Sequence, residues 1–302
     1  MTPLSPYVAH GACALIAIAD LATRSLRLSL LGRSTGQRLS LRDAFLSIIW
    51  ADAASGVTPM RFGGEAAKLG GLLRARFPLG AALIVLGLEL VVTYPWVVLL
   101  GGWLLWRFAP EWWAQTGPGL APALRTSGPW VGAMLLFTAG SLWLWWRYKH
   151  LHPQEAHLVP VGDLVARPTL RQAWRSIRWG PVLLASPLSL VNIVGRTAML
   201  PLLVMTLPDH APQGVLWVGS FALLYSQLVL PTPAGAGPVE LGFLSGAAGN
   251  LGPEAALLLI AWRFYTVGLG VILGAWAAVR VLGWQTISGW ARRAGAAPSP
   301  PA

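Results

Sequence analysis

Two similar stretches, TPMRFGGE at residues 58–65 and TPAGAGPVE at residues 232–240, interrupt the apolar runs of this 302-residue chain. Both contain a Thr-Pro pair, a glycine five residues after the threonine, and a glutamate shortly afterwards. In a membrane, a helix tolerates such breaks only where protein or a cavity satisfies the freed backbone groups. The two stretches therefore predict two broken or re-entrant helical hairpins.

The composition places the chain in a membrane. Apolar residues make up 55% of the sequence and charged residues 11%, which is far from the composition of soluble domains. Apolar runs of roughly 20 residues or more are long enough to cross about 30 Å of hydrocarbon. The candidate segments are 8–31, 41–77, 79–106, 128–147, 180–206, 215–249 and 254–280. We predict an all-α polytopic membrane protein with one membrane domain over residues 1–302.

The two interrupted segments belong to a longer internal repeat. At an offset of 174 residues, Ala82–Glu89 aligns with Ala256–Arg263, and segment 8–31 aligns with 182–205. Inverted repeats with broken helices and a binding site between them are typical of transporters. The predicted parts are repeat one (8–106), a spacer helix (128–147), a cytoplasmic basic loop (147–179), repeat two (180–280) and a short tail (281–302).

The net charge of +11 reflects basic residues that lie between the apolar runs and not in one patch, so we expect no nucleic-acid partner. Cytoplasmic loops collect Arg and Lys, and loop 147–179 carries six of them. This pattern predicts a multi-pass protein of the cytoplasmic membrane with a cytoplasmic C-terminus. Stretch 107–127, with Arg107 and Arg125, is expected to be a loop that carries little information on the topology.

Each break predicts a site for an anionic group. Half-helix N-termini carry free N–H groups and a positive dipole end, and both attract anions. In the second hairpin, Pro233 and Gly235 are expected to end one half-helix, and Pro238 suits the first turn of the next. Gly63, Gly64 and Gly237 are the further glycines of the two breaks. Alternatively, the breaks are Gly/Pro kinks that only improve packing.

Charges within membrane segments are costly, so each one needs a partner or a cavity. Glu89 and Arg263 occupy equivalent positions in the two repeats, and we predict that they form an ion pair, with either a structural or a gating role. Glu65 and Glu240 follow the breaks directly. They can cap the new half-helix, pair with a nearby cation such as Lys68, or contact a cationic headgroup.

Other polar residues give weaker signals. Asp20 and Arg24 are four residues apart on one segment, and Asn192 and Arg196 show the same spacing on another, which places each pair on one helix face. Arg196 can bind a lipid phosphate through two N–H groups, although a local pair or a snorkelling side chain is the favoured interpretation. The cluster of His150, His152, Glu155 and His157 has no common metal-site spacing, so no metal or cofactor is expected.

The interrupted stretches also resemble a known family. TPMRFGGEAAKLGGLLRARF and LPTPAGAGPVELGFLSGAAGNLG, the latter followed by AALLLIAWRF, resemble the transmembrane region of lysylphosphatidylglycerol synthases and of stand-alone flippase-like relatives, over most of the chain. The resemblance implies translocation of a lipid across the cytoplasmic membrane. The implied lipid is an aminoacylated or otherwise polar-headed phospholipid, or an isoprenoid- or hopanoid-linked lipid. Tail 281–302 is expected to be too short for the synthase domain of two-part members.

Two alternatives stay open beside a translocase that performs no chemistry. One is a noncatalytic membrane partner that docks a separate lipid synthase through loop 147–179. The other is an intramembrane lipid-modifying enzyme in which Glu65 and Glu240 act as a carboxylate pair. In the translocase, an anionic phospholipid or polyprenyl-type lipid would contact Arg61, Lys68 and Arg263, whereas a cationic headgroup would contact the glutamates.

Overall fold

The computed structural model of the chain describes residues 3–151, 174, 176–208, 212–228, 230, 232–247, 249 and 251–283. Most of the expected basic loop 147–179 and nearly all of tail 281–302 lie outside the described residues. The same holds for His152, Glu155 and His157.

The first hairpin follows a long helix. Helix α1 covers Pro6–Ser34, α2 covers Leu41–Val57 and α3 covers Phe62–Arg74. The Ser40 hydroxyl caps α2 by accepting the Asp43 N–H at 3.1 Å. Helix α2 ends at the Thr-Pro pair, because proline disfavours helical backbone in the residue before it. The expected break in segment 41–77 is therefore a turn between two helices.

Helix α4 runs without interruption from Leu79 to Leu151, over 73 residues. Stretch 107–127, expected as a loop, is helical, and it joins segment 79–106 to the spacer 128–147. Each proline in this stretch removes one backbone hydrogen bond without ending a helix rich in Leu, Ala and Trp. At 1.5 Å per residue α4 is about 110 Å long, well beyond the thickness of a bilayer.

The second hairpin again follows a long helix. Helix α5 covers Trp179–Val204, α6 covers Gln213–Ser226, and the short α7 covers Pro238–Leu244. Pro238 stands in the first turn of α7 as expected, where its missing N–H costs no hydrogen bond. Helix α6 ends well before Pro233, so the connection between the half-helices is longer than the sequence suggests.

The last span changes its helix type three times. A 3₁₀ turn (Gly252–Glu254) leads into α8 (Ala255–Arg263), a π-helical turn (Phe264–Gly268) and α9 (Leu269–Leu282). Among the described residues, three helical stretches are long and apolar enough to cross a membrane: Leu79–Pro118, Trp179–Val204 and Gly252–Val281. The expected all-α polytopic membrane fold is confirmed.

Each hairpin packs against the other half of the chain. Helix α2 packs on α9, α6 packs on α4, and α1 packs along α5. Glycines permit these approaches: a Cβ on Gly274 would lie 2.0 Å from the Ile49 carbonyl oxygen, and one on Gly101 would lie 2.7 Å from the Phe221 ring. The hairpins are therefore held at fixed positions, with their turns facing each other.

Candidate functional site

The turn of the first hairpin has two successive left-handed residues. Met60 has a φ of 49° and Arg61 a φ of 60°. The Arg61 N–H donates to the Thr58 carbonyl at 3.3 Å, and the Phe62 N–H donates to the Pro59 carbonyl at 3.2 Å. Helix α3 begins directly after this turn.

The turn of the second hairpin repeats this geometry at the equivalent residues. Ala234 has a φ of 48° and Gly235 a φ of 71°. The Gly235 N–H donates to the Thr232 carbonyl at 3.1 Å, and the Ala236 N–H donates to the Pro233 carbonyl at 2.8 Å. The two Thr-Pro stretches therefore share backbone conformation as well as sequence.

The two turns contact each other through equivalent residues. Pro59 and Pro233, 174 residues apart in the sequence, form an isolated antiparallel β-bridge. Gln227, which is buried, lies beside this contact, and its side-chain oxygen accepts a hydrogen bond from Arg61 at 3.2 Å. A Cβ on Gly235 would lie 2.9 Å from the Gln227 Cγ. The site is thus built where the two hairpins meet.

A cavity of about 200 Å³ opens beside the turns, between α1, α3, α4, α5 and the end of α6. Its charged lining consists of five cations and two carboxylates. The polar lining is Arg24, Arg27, Arg61, Glu65, Lys68, Glu89, Thr93, Tyr94, Asn192, Arg196, Tyr225 and Gln227. Arg24 is paired with Asp52 and Asp20, which lie outside this lining, so the positive charge that could attract an anion comes mainly from Arg61 and Arg196.

Glu89 is the centre of a buried ion cluster on one wall. Its side chain is 8% exposed and accepts from Arg27 at 2.6 Å and from Lys68 at 2.7 Å. Arg27 also donates to the Ser189 hydroxyl at 3.1 Å, and Lys68 donates to Glu65 at 2.8 Å. The cluster links α1, α3, α4 and α5, and its charges neutralise one another within the protein.

A second cluster links α1 to α2 and α5. Arg24 binds Asp52 with two hydrogen bonds of 2.7 and 2.8 Å and lies 3.4 Å from Asp20. Asp20 in turn accepts from the Asn192 amide. The four-residue spacing seen in the sequence did place Asp20 and Arg24 together, but the stronger partner of Arg24 is Asp52.

Arg61 and Arg196 differ from the other cations of the cavity. Among the described residues, neither guanidinium has a carboxylate within 4 Å. Arg61 donates to the Gln227 amide, and Arg196 donates to the carbonyl of Thr266. Thr266 lies in the π-helical turn, and such turns often mark functional sites. No carboxylate within that distance therefore neutralises these two arginines.

The predicted ion pair between Glu89 and Arg263 is wrong. Glu89 is bound by Arg27 and Lys68, whereas Arg263 pairs with Glu240 at 2.5 Å and donates to the Ala234 carbonyl at 3.1 Å. The repeat does match the two positions, but each side chain turns to the hairpin of its own half. Lys68–Glu89 and Glu240–Arg263 are therefore two comparable pairs with the charges exchanged.

The N–H groups of Gly63 and Gly237 at the two breaks are already bonded within the protein. The Gly63 N–H donates to the Thr58 hydroxyl at 2.9 Å, and the Gly237 N–H donates to Glu240 at 2.6 Å. The expectation that these donors face a ligand is wrong for both glycines. Gly64 allows α3 to pack closely on α2, since a Cβ at this position would lie 2.1 Å from the Ser55 hydroxyl oxygen.

The candidate residues thus fall into two groups. Those that line the cavity are Arg61, Glu65, Lys68, Glu89 and Arg196, and those outside its lining are Gly63, Gly64, Pro233, Gly235, Gly237, Glu240 and Arg263. Sequence reasoning missed Arg27, Asp52 and Gln227. Arg27 and Asp52 carried a usable signal, because each is an ionisable residue inside an apolar segment. Gln227 carried none.

Comparison with protein families identifies a match over most of the chain. The family described as the lysylphosphatidylglycerol synthase TM region matches residues 3–274. No curated protein and no solved structure matches the chain. This family is a membrane domain associated with lipid synthesis or flipping.

Proposed function

Because this chain belongs to the lysylphosphatidylglycerol synthase transmembrane-region family, we propose that it translocates a polar-headed membrane lipid across the bilayer. The headgroup passes through the cavity between the two hairpins while the acyl chains stay in the surrounding lipid. The observation that carries this proposal is the pair of arginines, Arg61 and Arg196, that face one cavity without a carboxylate partner among the described residues.

The shape of the cavity supports a headgroup and not a whole lipid as the ligand. Its volume of about 200 Å³ lies below the range of roughly 300–1,000 Å³ that is usual for drug-sized ligands. Leu90, Val97 and Leu228 also line it, and Leu90 and Leu228 are exposed to the surroundings. A polar interior beside exposed apolar side chains suits an amphipathic substrate.

The charges favour a headgroup that contains phosphate. Guanidinium groups bind phosphate oxygens through two parallel N–H donors, and Arg61 and Arg196 line the same cavity. Glu65 is 51% exposed, and among the described residues its ion-pair partner is Lys68. It is the carboxylate best placed for a cationic group on the same lipid, such as the amine of an aminoacylated or zwitterionic phospholipid.

The matched turns support an inverted repeat as the basis of alternating access. Equivalent residues that pair with each other, as Pro59 does with Pro233, lie on or near a twofold axis. Helices α1 and α5, which the sequence repeat also matches, pack along each other. In our proposal the two hairpins open in turn toward opposite faces of the membrane, with the bridge between Pro59 and Pro233 at the pivot.

We propose a carrier and not a chemical catalyst. Glu65 is bound to Lys68, and Glu240 is bound to Arg263 and to the Gly237 N–H. Because the two glutamates have separate partners, structural and binding roles are favoured over a shared catalytic site.

We further propose that the protein lies in the cytoplasmic membrane with its C-terminus in the cytoplasm. A separate lipid synthase, as a partner on that side, would supply the substrate.

Reconstitution tests the proposal. The purified chain is incorporated into vesicles with acyl-labelled phosphatidylglycerol, its aminoacylated form, or phosphatidylcholine, and dithionite quenching reports the transbilayer movement. We expect movement of a phosphate-bearing lipid at least tenfold above protein-free vesicles. If correctly folded protein moves none of these lipids, the chain is not a translocase for them, and a partner or enzyme role replaces the proposal.

A further inference from the structure

A second cavity, which we call the basic cleft, lies where the end of α1 meets the starts of α2 and α5. Its volume is about 680 Å³, and it shares no lining residue with the central cavity. Arg33, Arg38 and Arg178 line it, together with polar groups of Gln37 and Ser40. None of the functional residues considered above belongs to it.

The basic cleft carries three positive charges and no lining carboxylate. Within the described part of the chain, none of its three arginines has a carboxylate within 4 Å. The Asp43 carboxylate, in the first turn of α2, accepts a hydrogen bond from the Ser40 hydroxyl at 2.6 Å. Three neighbouring guanidiniums repel one another, and an anion bound between them relieves that repulsion.

A backbone hydrogen bond joins two of the helices that form the basic cleft. The Arg178 N–H donates to the Ser34 carbonyl at 2.9 Å, which ties the start of α5 to the end of α1. Arg178 is the N-cap of α5, and its side chain makes no capping hydrogen bond. The positive end of the α5 dipole therefore adds to the charge of the three arginines.

Exposed apolar residues continue directly from the basic cleft along α5. Trp179 is 52% exposed and Leu183, one helical turn later, is 70% exposed. Tryptophan favours the headgroup layer of a membrane, and an exposed leucine one turn deeper favours acyl chains. A basic pocket with this neighbourhood suits the headgroup of an anionic lipid whose chains extend along the helix.

We propose that the basic cleft binds the phosphate of an anionic phospholipid from the leaflet that it faces, at a site separate from the translocation cavity. Arg33, Arg38 and Arg178 hold the headgroup, and the acyl chains lie against Trp179 and Leu183. This inference does not depend on the proposed function, because a lipid bound at this site need not be the lipid that is moved.

Equilibrium binding of fluorescent phosphatidylglycerol to the full chain in detergent micelles tests the site. The variant Arg33→Gln/Arg38→Gln/Arg178→Gln is compared with Arg74→Gln/Arg107→Gln/Arg280→Gln. The control loses the same charge from exposed arginines that stack on aromatic rings outside the basic cleft. We expect at least tenfold weaker binding for the cleft variant and less than a twofold change for the control.

The same measurement in an Arg61→Gln/Arg196→Gln background separates the two sites. In this background, removing the three cleft arginines should still weaken phosphatidylglycerol binding, whether or not the chain moves lipid. Equal losses in the two triple variants would overturn the proposal, since bulk charge would then explain binding. Displacement of the lipid by soluble glycerol phosphate at equal concentration would also overturn it, because the ligand would then be a soluble phosphate.

Discussion

Arg61 and Gly235 occupy the same position in two turns of the same shape, one in each hairpin. Left-handed backbone suits glycine but costs a residue with a Cβ about 1–2 kcal/mol. The first hairpin therefore carries this cost at Arg61 and gains a guanidinium in the cavity. A strained residue that its surroundings hold in place is a reason to examine its function.

The first prediction separates strain from function at this turn. Arg61→Gly should leave the free energy of unfolding unchanged or raise it by up to about 1 kcal/mol, because glycine accepts the left-handed conformation. Lipid movement should fall at least tenfold, because the phosphate loses a guanidinium. SDS-titration unfolding and vesicle transport measure the two effects.

The neighbouring residue provides the control for that variant. Met60→Gly relieves the same kind of strain and keeps the Arg61 guanidinium, so transport should stay within twofold of the wild type. Transport lost equally in both glycine variants would mean that turn rigidity, and not the charge, is what matters.

The second prediction concerns the ion cluster on α4. Glu89→Gln should lower the free energy of unfolding by about 3–5 kcal/mol, because Arg27 and Lys68 would remain buried without their common carboxylate. Glu111→Gln, an exposed position on the same helix, should change it by less than about 0.5 kcal/mol. SDS-titration unfolding compares the two variants.

The exchange Glu89→Arg/Arg263→Glu should not restore folding, since the structure gives these residues different partners. Recovery of wild-type stability in this double variant would contradict the observed pairing.

The third prediction contrasts the two glutamates that follow the breaks. Glu240→Gln should lower the free energy of unfolding by about 1–2 kcal/mol, through a weaker bond to Arg263, and keep transport within threefold. Glu65→Gln should leave stability nearly unchanged and alter which lipids are moved, because Glu65 is exposed in the cavity. Initial rates for phosphatidylglycerol and its aminoacylated form show the difference, and identical lipid preferences in both variants would contradict it.

The fourth prediction tests the close contact between α2 and α9. Gly274→Ala should lower the free energy of unfolding by about 1–3 kcal/mol, because the new methyl group would overlap the Ile49 carbonyl. Gly87→Ala, at a helical position with open space, should be neutral or slightly stabilising. If both substitutions have the same effect on unfolding, the packing of α2 on α9 is not as described.

The sequence predicted the positions of the turns because Thr-Pro and the following glycines act locally on the backbone. It also predicted that Glu65 and Glu89 need a partner or a cavity, and that Arg61, Lys68 and Arg196 can contact an anionic lipid headgroup. The partners could not be read from spacing, since the contacts of the Glu89 cluster join residues 21, 62 and 162 positions apart. Glu89 and Arg263 occupy equivalent positions in the repeat, which indicates similar surroundings. Equivalence of this kind does not imply that the two side chains contact each other.

The helix boundaries were likewise predictable only where local residues determine them. The start of α7 at Pro238 follows from local chemistry, whereas the continuity of α4 through stretch 107–127 depends on prolines that bend a helix without ending it. The π-helical turn that presents the Thr266 carbonyl to Arg196 has no signal in residue spacing.

The most direct test of the account is the initial rate at which acyl-labelled phosphatidylglycerol crosses vesicles containing equal amounts of wild-type protein or Arg61→Gln/Arg196→Gln. Because these two guanidiniums are the cations of the cavity without a carboxylate partner in the described structure, the double variant should be at least a hundredfold slower while unfolding at the same SDS concentration. A folded double variant that moves the lipid at the wild-type rate would contradict the claim that the headgroup crosses through this cavity.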